Sequence, residues 1–293
     1  MTTQTAHVAP APLTQAPSPI TRFTRMVRRI VAIGRAETLL FLRNPTILAT
    51  ALLMAPIMTL GLGPMLANSF ETSTDGAAQP LFGPYLLQML ASWCLLMVVY
   101  YNLTTIFVAR REDGVFQRMS TGEASSWEAL VGAAIPSGII ALLQIPLGAA
   151  LLLLVSDSLT IANILLPIIG ILFGIIILTC LAAWCSTWTG TVEGAQYSTM
   201  PLLLVLMILS GPVVPFEIFG GPVEAFVSRT PLYAINDLIT LGFGAESIFA
   251  GKSQPLSFMD TWALAWQPIA VLAIWTFGCV ALARSTMKFA RRR

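Results

Sequence analysis

Six windows of this 293-residue chain contain no Asp, Glu, Lys, Arg or His: 44–70, 76–109, 129–156, 158–192, 194–216 and 261–283. Each holds the roughly 20 apolar residues that a helix needs to cross the hydrocarbon core of a bilayer. With 56% of residues hydrophobic and only 10% charged, little chain is left for a water-soluble domain. The expected fold class is an all-α membrane protein with six transmembrane helices.

Six spans put both termini on one side of the membrane, and the cations between the windows decide which side that is. Fourteen of the sixteen Lys and Arg fall at 22–43, 110–118 and 284–293, leaving Arg229 and Lys252 for the opposite face. The positive-inside rule makes the first group cytoplasmic, so both termini are expected there. The net charge of +2 gives no reason to expect a nucleic-acid partner. Fourteen Arg against two Lys point by composition to a GC-rich bacterial genome, and so to a bacterial inner or plasma membrane.

Residues 1–19 are mostly Ala, Pro, Thr and Ser, with no charge and the chain's only histidine, His7, which reads as a disordered tail. In 20–40, Ile20, Phe23, Val27, Ile30, Val31 and Gly34 alternate with Arg22, Arg25, Arg28, Arg29 and Arg35. That pattern predicts an amphipathic interface helix with its arginines toward anionic headgroups. A signal peptide is the competing reading, but the apolar run begins only after Arg43 and is too long for one. Residues 41–290 then form the six-span domain.

The segment 110–132 is the one well-charged stretch between long apolar windows. Asp113 to Ser120 reads as two helical turns, with acids at the positive end and Val115 and Met119 on one face. Two turns are unstable alone in water, so the helix rests on lipid headgroups or on a partner protein. Ser125 and Glu128 have the capping-box spacing, which starts the next helix near Ser126.

Arg111, Glu112, Gly114, Arg118 and Met119, followed by Trp127 and Glu128, resemble the R-E-x-G-T-x-x-R-L pattern that precedes the third span of ABC type-2 exporter permeases. Ser210-Gly211-Pro212-Val213-Val214-Pro215 and Thr230-Pro231-Leu232-Tyr233-Ala234-Ile235-Asn236 resemble that family's S-G-x-x-x-P and N-P-L-x-Y-A-I motifs. Gly122-Glu123 stands in place of the family's Pro, Gly132-Ala133 in place of its Gly-Lys, Thr230 in place of its Asn, and Tyr233 comes one position early. The resemblance implies a cytoplasmic coupling helix between spans two and three, with Arg111, Glu112, Gly114, Val115, Phe116, Arg118 and Met119 docking on an ATPase subunit. It also implies a second permease copy or homologue and a pair of ATPase subunits. ATP and Mg would sit on those subunits, with no cofactor bound by this chain.

Between the fifth and sixth windows, 223–239 is too short and too charged for a span and reads as short re-entrant or interfacial helices. Irregular backbone at membrane depth survives only under cover of protein or beside a water-lined cavity. Gly211, Pro212, Pro215 and Glu217 are therefore candidates for an outer gate, with Glu224 and Asp237 facing the exit or the headgroups.

Catalytic chemistry of its own is not expected of this chain. His7 stands alone, and Cys94, Cys180, Cys185 and Cys279 all lie inside apolar windows without a CxxC pair, which leaves metal and nucleophilic catalysis unsupported. Gly251-Lys252-Ser253 lacks the earlier glycine of a phosphate-binding loop, a position held here by Glu246. Gly170 and Gly174 have the small-xxx-small spacing of a helix contact, and Trp262, Trp266 and Trp275 read as interfacial or lipid-facing aromatics. An ion-driven antiporter normally carries intramembrane carboxylates; without them, the energy is expected from ATP on a separate subunit. The uncharged windows suit a hydrophobic or amphipathic cargo, a drug, antibiotic or lipid. The alternatives are a polysaccharide or glycolipid exporter permease, and a non-transporting membrane anchor or sensor with a cytoplasmic partner.

Overall fold

Nine helices and no strand form among the residues that the computed structural model describes, 19–73, 81–114, 125–155, 159–214, 221–246 and 256–286. They are α1 (Pro19–Arg43), α2 (Pro45–Ser73), α3 (Phe82–Glu112), α4 (Ser126–Val155), α5 (Leu165–Ser186), α6 (Val192–Ile208), α7 (Gly221–Val227), α8 (Pro231–Gly242) and α9 (Phe258–Thr286). Five of them, α2, α3, α4, α5 and α9, are long and apolar enough to cross a membrane. The protein is therefore a multi-pass, all-helical membrane protein. The fifth charge-free window yields the shorter α6, of 17 residues. Its end has a local cause, since Gly211 adopts a φ of +101° and Pro212 has no amide hydrogen to continue a helix.

The bundle is built around α3. In the spanning window of α3, 83% of residues are buried, against 22% in α2 and in α9. The outer helices turn Leu60, Leu143, Ile274 and Phe277 outward, which costs nothing in a hydrocarbon solvent. Midway along α3, residues Leu95–Tyr101 take a π-helical turn. Such insertions cluster at functional sites, and nothing in this run of apolar residues announces one.

One end of the bundle carries α1. Here Gly34 and Gly132 act as reciprocal notches: a Cβ at Gly34 would lie 2.3 Å from Ile135 Cδ1, and one at Gly132 would lie 2.6 Å from Ile33 Cγ2. Ion pairs from Arg110 to Glu37 at 2.7 Å and from Arg29 to Glu128 at 3.7 Å reinforce the contact. One side of α1 thus covers α4, while Phe23, Val27 and Val31 stay exposed. The capping box forms as the spacing predicts, with Ser125 N donating to Glu128 Oε2 at 2.9 Å and Glu128 N to Ser125 Oγ at 3.3 Å. Arg284 in the last turn of α9 stacks over Trp127, 5.4 Å from the ring centre. The end of α3, the start of α4 and the end of α9 therefore meet at the α1 end. Residues 1–18 lie outside the described residues.

The segment between α6 and α9 is no simple loop. Almost all of α8 is buried, packed on α3, α5 and α9. The Gly170 and Gly174 pair receives it, since their Cβ atoms would lie 3.4 Å from the Ile235 carbonyl oxygen and 2.9 Å from Ile235 Cδ1. The small-residue spacing thus serves packing within the chain. At the far end of α8, the Gly242 carbonyl accepts from Ala162 N at 3.1 Å and Asn163 N at 2.9 Å. The turn joining α7 to α8 is held by Trp275 Nε1, which donates to the Arg229 carbonyl at 2.8 Å. Trp275 lies seventeen residues from the start of α9 and eleven from its end. The Arg229 carbonyl thus lies beside the middle of α9.

Candidate functional site

At the α1 end, the last turn of α3 carries Arg110 and Arg111, where cations complement the negative end of the helix dipole. The Arg111 guanidinium donates to the carbonyls of Ser186 and Thr189, in the turn from α5 to α6. Ser186 closes α5, and its carbonyl is one that the end of a helix leaves without an internal partner. Next to it, Glu112 Oε2 accepts from Val192 N at 3.3 Å, and Thr191 Oγ1 caps α6 by accepting from Gly194 N at 3.1 Å. Two consecutive side chains of α3 thus grip the end of α5 and the start of α6.

Gly114 follows at a φ of +67°, the left-handed conformation in which glycine commonly ends a helix. This corrects the expected start of the coupling helix. Glu112 ends α3 and Asp113 lies in its closing turn, so both acids belong to the C-terminal end of a spanning helix. Val115, Phe116, Arg118 and Met119 lie outside the described residues.

At the opposite end, Gly211 and Pro212 are buried. Tyr85 Oη donates to the Pro212 carbonyl at 3.0 Å, and a Cβ at Gly211 would meet the Tyr233 ring at 3.3 Å. Asn236 Nδ2 donates to Ser92 Oγ and to the Ser210 carbonyl, both at 2.8 Å. Gln88 Nε2 donates to the Asn236 carbonyl at 3.2 Å and to Thr240 Oγ1. The result is a buried, neutral hydrogen-bond network joining α3, α8 and the end of α6. Sequence reasoning missed its α3 members, although Tyr85, Gln88 and Ser92 share one helical face inside a charge-free window. Pro215 and Glu217 lie outside the described residues.

Two cavities flank these features. A polar cleft of about 390 Å³ between α7, α8 and α9 is lined by Glu224, Ser228, Asp237, Glu246 and Gln267 among others, so Glu224 and Asp237 share one opening. Among the described residues no group of three or more Asp, Glu, His or Cys is placed to hold a metal. An apolar cleft of about 330 Å³ between α2, α3 and α4 is lined chiefly by leucines, with Thr59 and Gln144 the polar exceptions. Gln144 Nε2 donates to the Leu52 carbonyl at 2.8 Å, and Gln144 Oε1 accepts from Cys94 Sγ at 3.2 Å. All four cysteines are buried free thiols.

The family model described as ABC-2 family transporter protein matches residues 43–284, from the start of α2 almost to the end of α9. Comparison with curated proteins gives no match. The family match takes in most of the sequence, including the gripped end of α3 and the buried outer segment, and on it the chain belongs to the ABC-2 transporter family of membrane proteins.

Proposed function

We propose that this chain is the transmembrane permease subunit of an ATP-driven exporter, moving a hydrophobic or amphipathic cargo, a drug, antibiotic or lipid, out of the cytoplasm or inner leaflet. The observation that carries the proposal is the grip of Arg111 and Glu112 on α5 and α6. A loop that leaves a spanning helix just after such a grip can move three helices when it is pushed. A loop that only tethers two spans has no use for it. In this reading Val115, Phe116, Arg118 and Met119 complete the surface that docks on a cytoplasmic ATPase subunit, which holds ATP and Mg. The working assembly contains two permease copies or homologues and two ATPase subunits.

Six passes fit this assembly, with α6 as the fifth. Its first residue meets Glu112 at one end of α3, and the segment after it meets Tyr85 near the other. The α1 end then faces the cytoplasm of a bacterial cell with both termini, and α7 and α8 form a re-entrant pair. Gly211, Pro212, Pro215 and Glu217 serve as the outer gate, closed by the neutral network around Asn236. A pathway walled by neutral amides and hydroxyls offers no ion relay, which supports an amphipathic cargo over a small ion.

The test replaces Phe116 and Met119 by Asp, which puts unpaired charges into an apolar docking contact. ATP-dependent movement of a lipophilic dye across membrane vesicles should be lost and the ATPase subunit should no longer co-purify, while membrane insertion is unchanged. Undiminished transport and co-purification would refute the docking role.

A further inference from the structure

We infer that Arg229 binds the anionic group of an amphipathic molecule at mid-depth in the bundle, a deepening that rests on the export reading above. Two independent rulers give the depth. Trp275 Nε1, bonded to the Arg229 carbonyl at 2.8 Å, belongs to a residue seventeen positions into α9, about 26 Å at 1.5 Å per residue. Its side chain leans toward the helix N-terminus, so the indole comes closer still to the midpoint of α9. From the other side, Thr230 Oγ1 donates to the Leu209 carbonyl at 3.1 Å, just past the 17-residue α6. That helix climbs about 26 Å from the α1 end. The first ruler places the α7–α8 turn near the midpoint of a spanning helix, and the second keeps it short of the far side of the roughly 30 Å hydrocarbon layer that such helices cross.

At this depth Arg229 is exposed and makes no ion pair among the described residues. It is also absent from the lining of the acidic cleft, although its neighbour Ser228 contributes there. An unpaired guanidinium against hydrocarbon is costly, and charged side chains within spanning segments face cavities or partners. The exposed side of Arg229 therefore borders water or an anion, as it would on a pathway between two permease copies. A guanidinium offers a planar fork of donors that matches phosphate or carboxylate. Close by, Phe226 and Ile208 expose large apolar surface suited to the hydrocarbon part of the same molecule. Charge and apolar surface together fit an anionic amphiphile.

The experiment uses the full chain in membrane vesicles, with single cysteines at Arg229 or at Ile274. Ile274 is 72% exposed, adjoins Trp275 and serves as a lipid-facing control at the same depth. The wild-type protein, whose four cysteines are buried, sets the background. Arg229→Cys should react several-fold faster than Ile274→Cys with a membrane-impermeant sulfonated thiol reagent. Dodecyl phosphate should slow that reaction, whereas dodecylammonium should not. In direct binding measurements, Arg229→Gln should weaken dodecyl phosphate binding roughly tenfold, with Arg229→Lys in between. Equally slow reaction at the two positions, equal protection by both amphiphiles, or unaltered binding to Arg229→Gln would each overturn the inference. None of these readouts needs ATP, so a failure here is distinguishable from a failure of ATP-driven export.

Discussion

The clearest energetic test lies in the contact between α2 and α4. Pro56 has no amide hydrogen, so the Leu52 carbonyl four residues earlier loses its helical donor. Gln144 supplies a replacement from α4, with Nε2 at 2.8 Å from that oxygen, while its Oε1 takes the Cys94 thiol at 3.2 Å. No water is available in the bilayer core to take over if the glutamine is removed. Gln144→Leu keeps the bulk and deletes both bonds. Interhelical hydrogen bonds in membranes average about 0.6 kcal/mol and reach about 1.7 kcal/mol, and an unsatisfied buried acceptor costs about 1–3 kcal/mol. A loss of about 1.5–2 kcal/mol is expected. In a Pro56→Ala background the restored amide returns to Leu52, and Gln144→Leu should then cost only about 0.5 kcal/mol, from the weaker thiol bond. The coupling of about 1–1.5 kcal/mol is read from a double-mutant cycle, by unfolding the purified protein in mixed micelles with tryptophan fluorescence as the signal. An equal cost of Gln144→Leu in both backgrounds would refute the compensation argument.

Two further predictions concern the α1 end. Arg111→Ala removes the bonds to Ser186 and Thr189, each charge-assisted and worth about 1.5–3 kcal/mol when buried, less for this partly exposed side chain. Transport should fall while ATP hydrolysis by the partner subunit continues, with Arg111→Lys intermediate; full transport by the alanine variant would count against the grip. For orientation, single cysteines at Ser73 and Ser253 should react with an impermeant thiol reagent applied outside cells, and those at Ser120 and Ser285 should not, the reverse pattern overturning the assigned sides.

Local features of the sequence translated well into structure. The Ser125 and Glu128 spacing became a two-bond cap because a capping box involves only four consecutive residues. Uninterrupted apolar windows became five long helices because length and hydropathy suffice to define a span. Absence of charge says nothing about where a helix stops, however, and the fifth window runs past the point where Gly211 and Pro212 end α6. The network around Asn236 was hidden for another reason: Gln88 and Asn236 are far apart in sequence, and only the insertion of α8 between α3 and α5 brings them together. The same packing sets the Arg229 carbonyl against Trp275, seventeen residues into α9. Asp113 was expected to open a new helix because acids suit an N-terminus, and it lies in the closing turn of α3. Here Glu112 instead reaches across to cap a different helix, α6.

On the export reading, α3 is the element that links energy input to the gate, because it is gripped at one end and hydrogen-bonded at the other. Signals between distant sites need an element with two discrete arrangements. Five bonds hold the far end closed: Tyr85 to Pro212, Gln88 to Asn236 and Thr240, and Asn236 to Ser92 and Ser210. At about 0.6 kcal/mol each in a membrane interior, they amount to about 3 kcal/mol. That bias corresponds to a closed form favoured by roughly 100:1, which a differential of roughly 5.5 kcal/mol inverts. On this reading the network keeps the closed form dominant at rest, and docking energy delivered through Arg111 and Glu112 supplies the swing that opens it. The π-helical turn at Leu95–Tyr101 lies between the two ends. Its extra residue in the turn gives α3 a place to shift register without breaking either attachment.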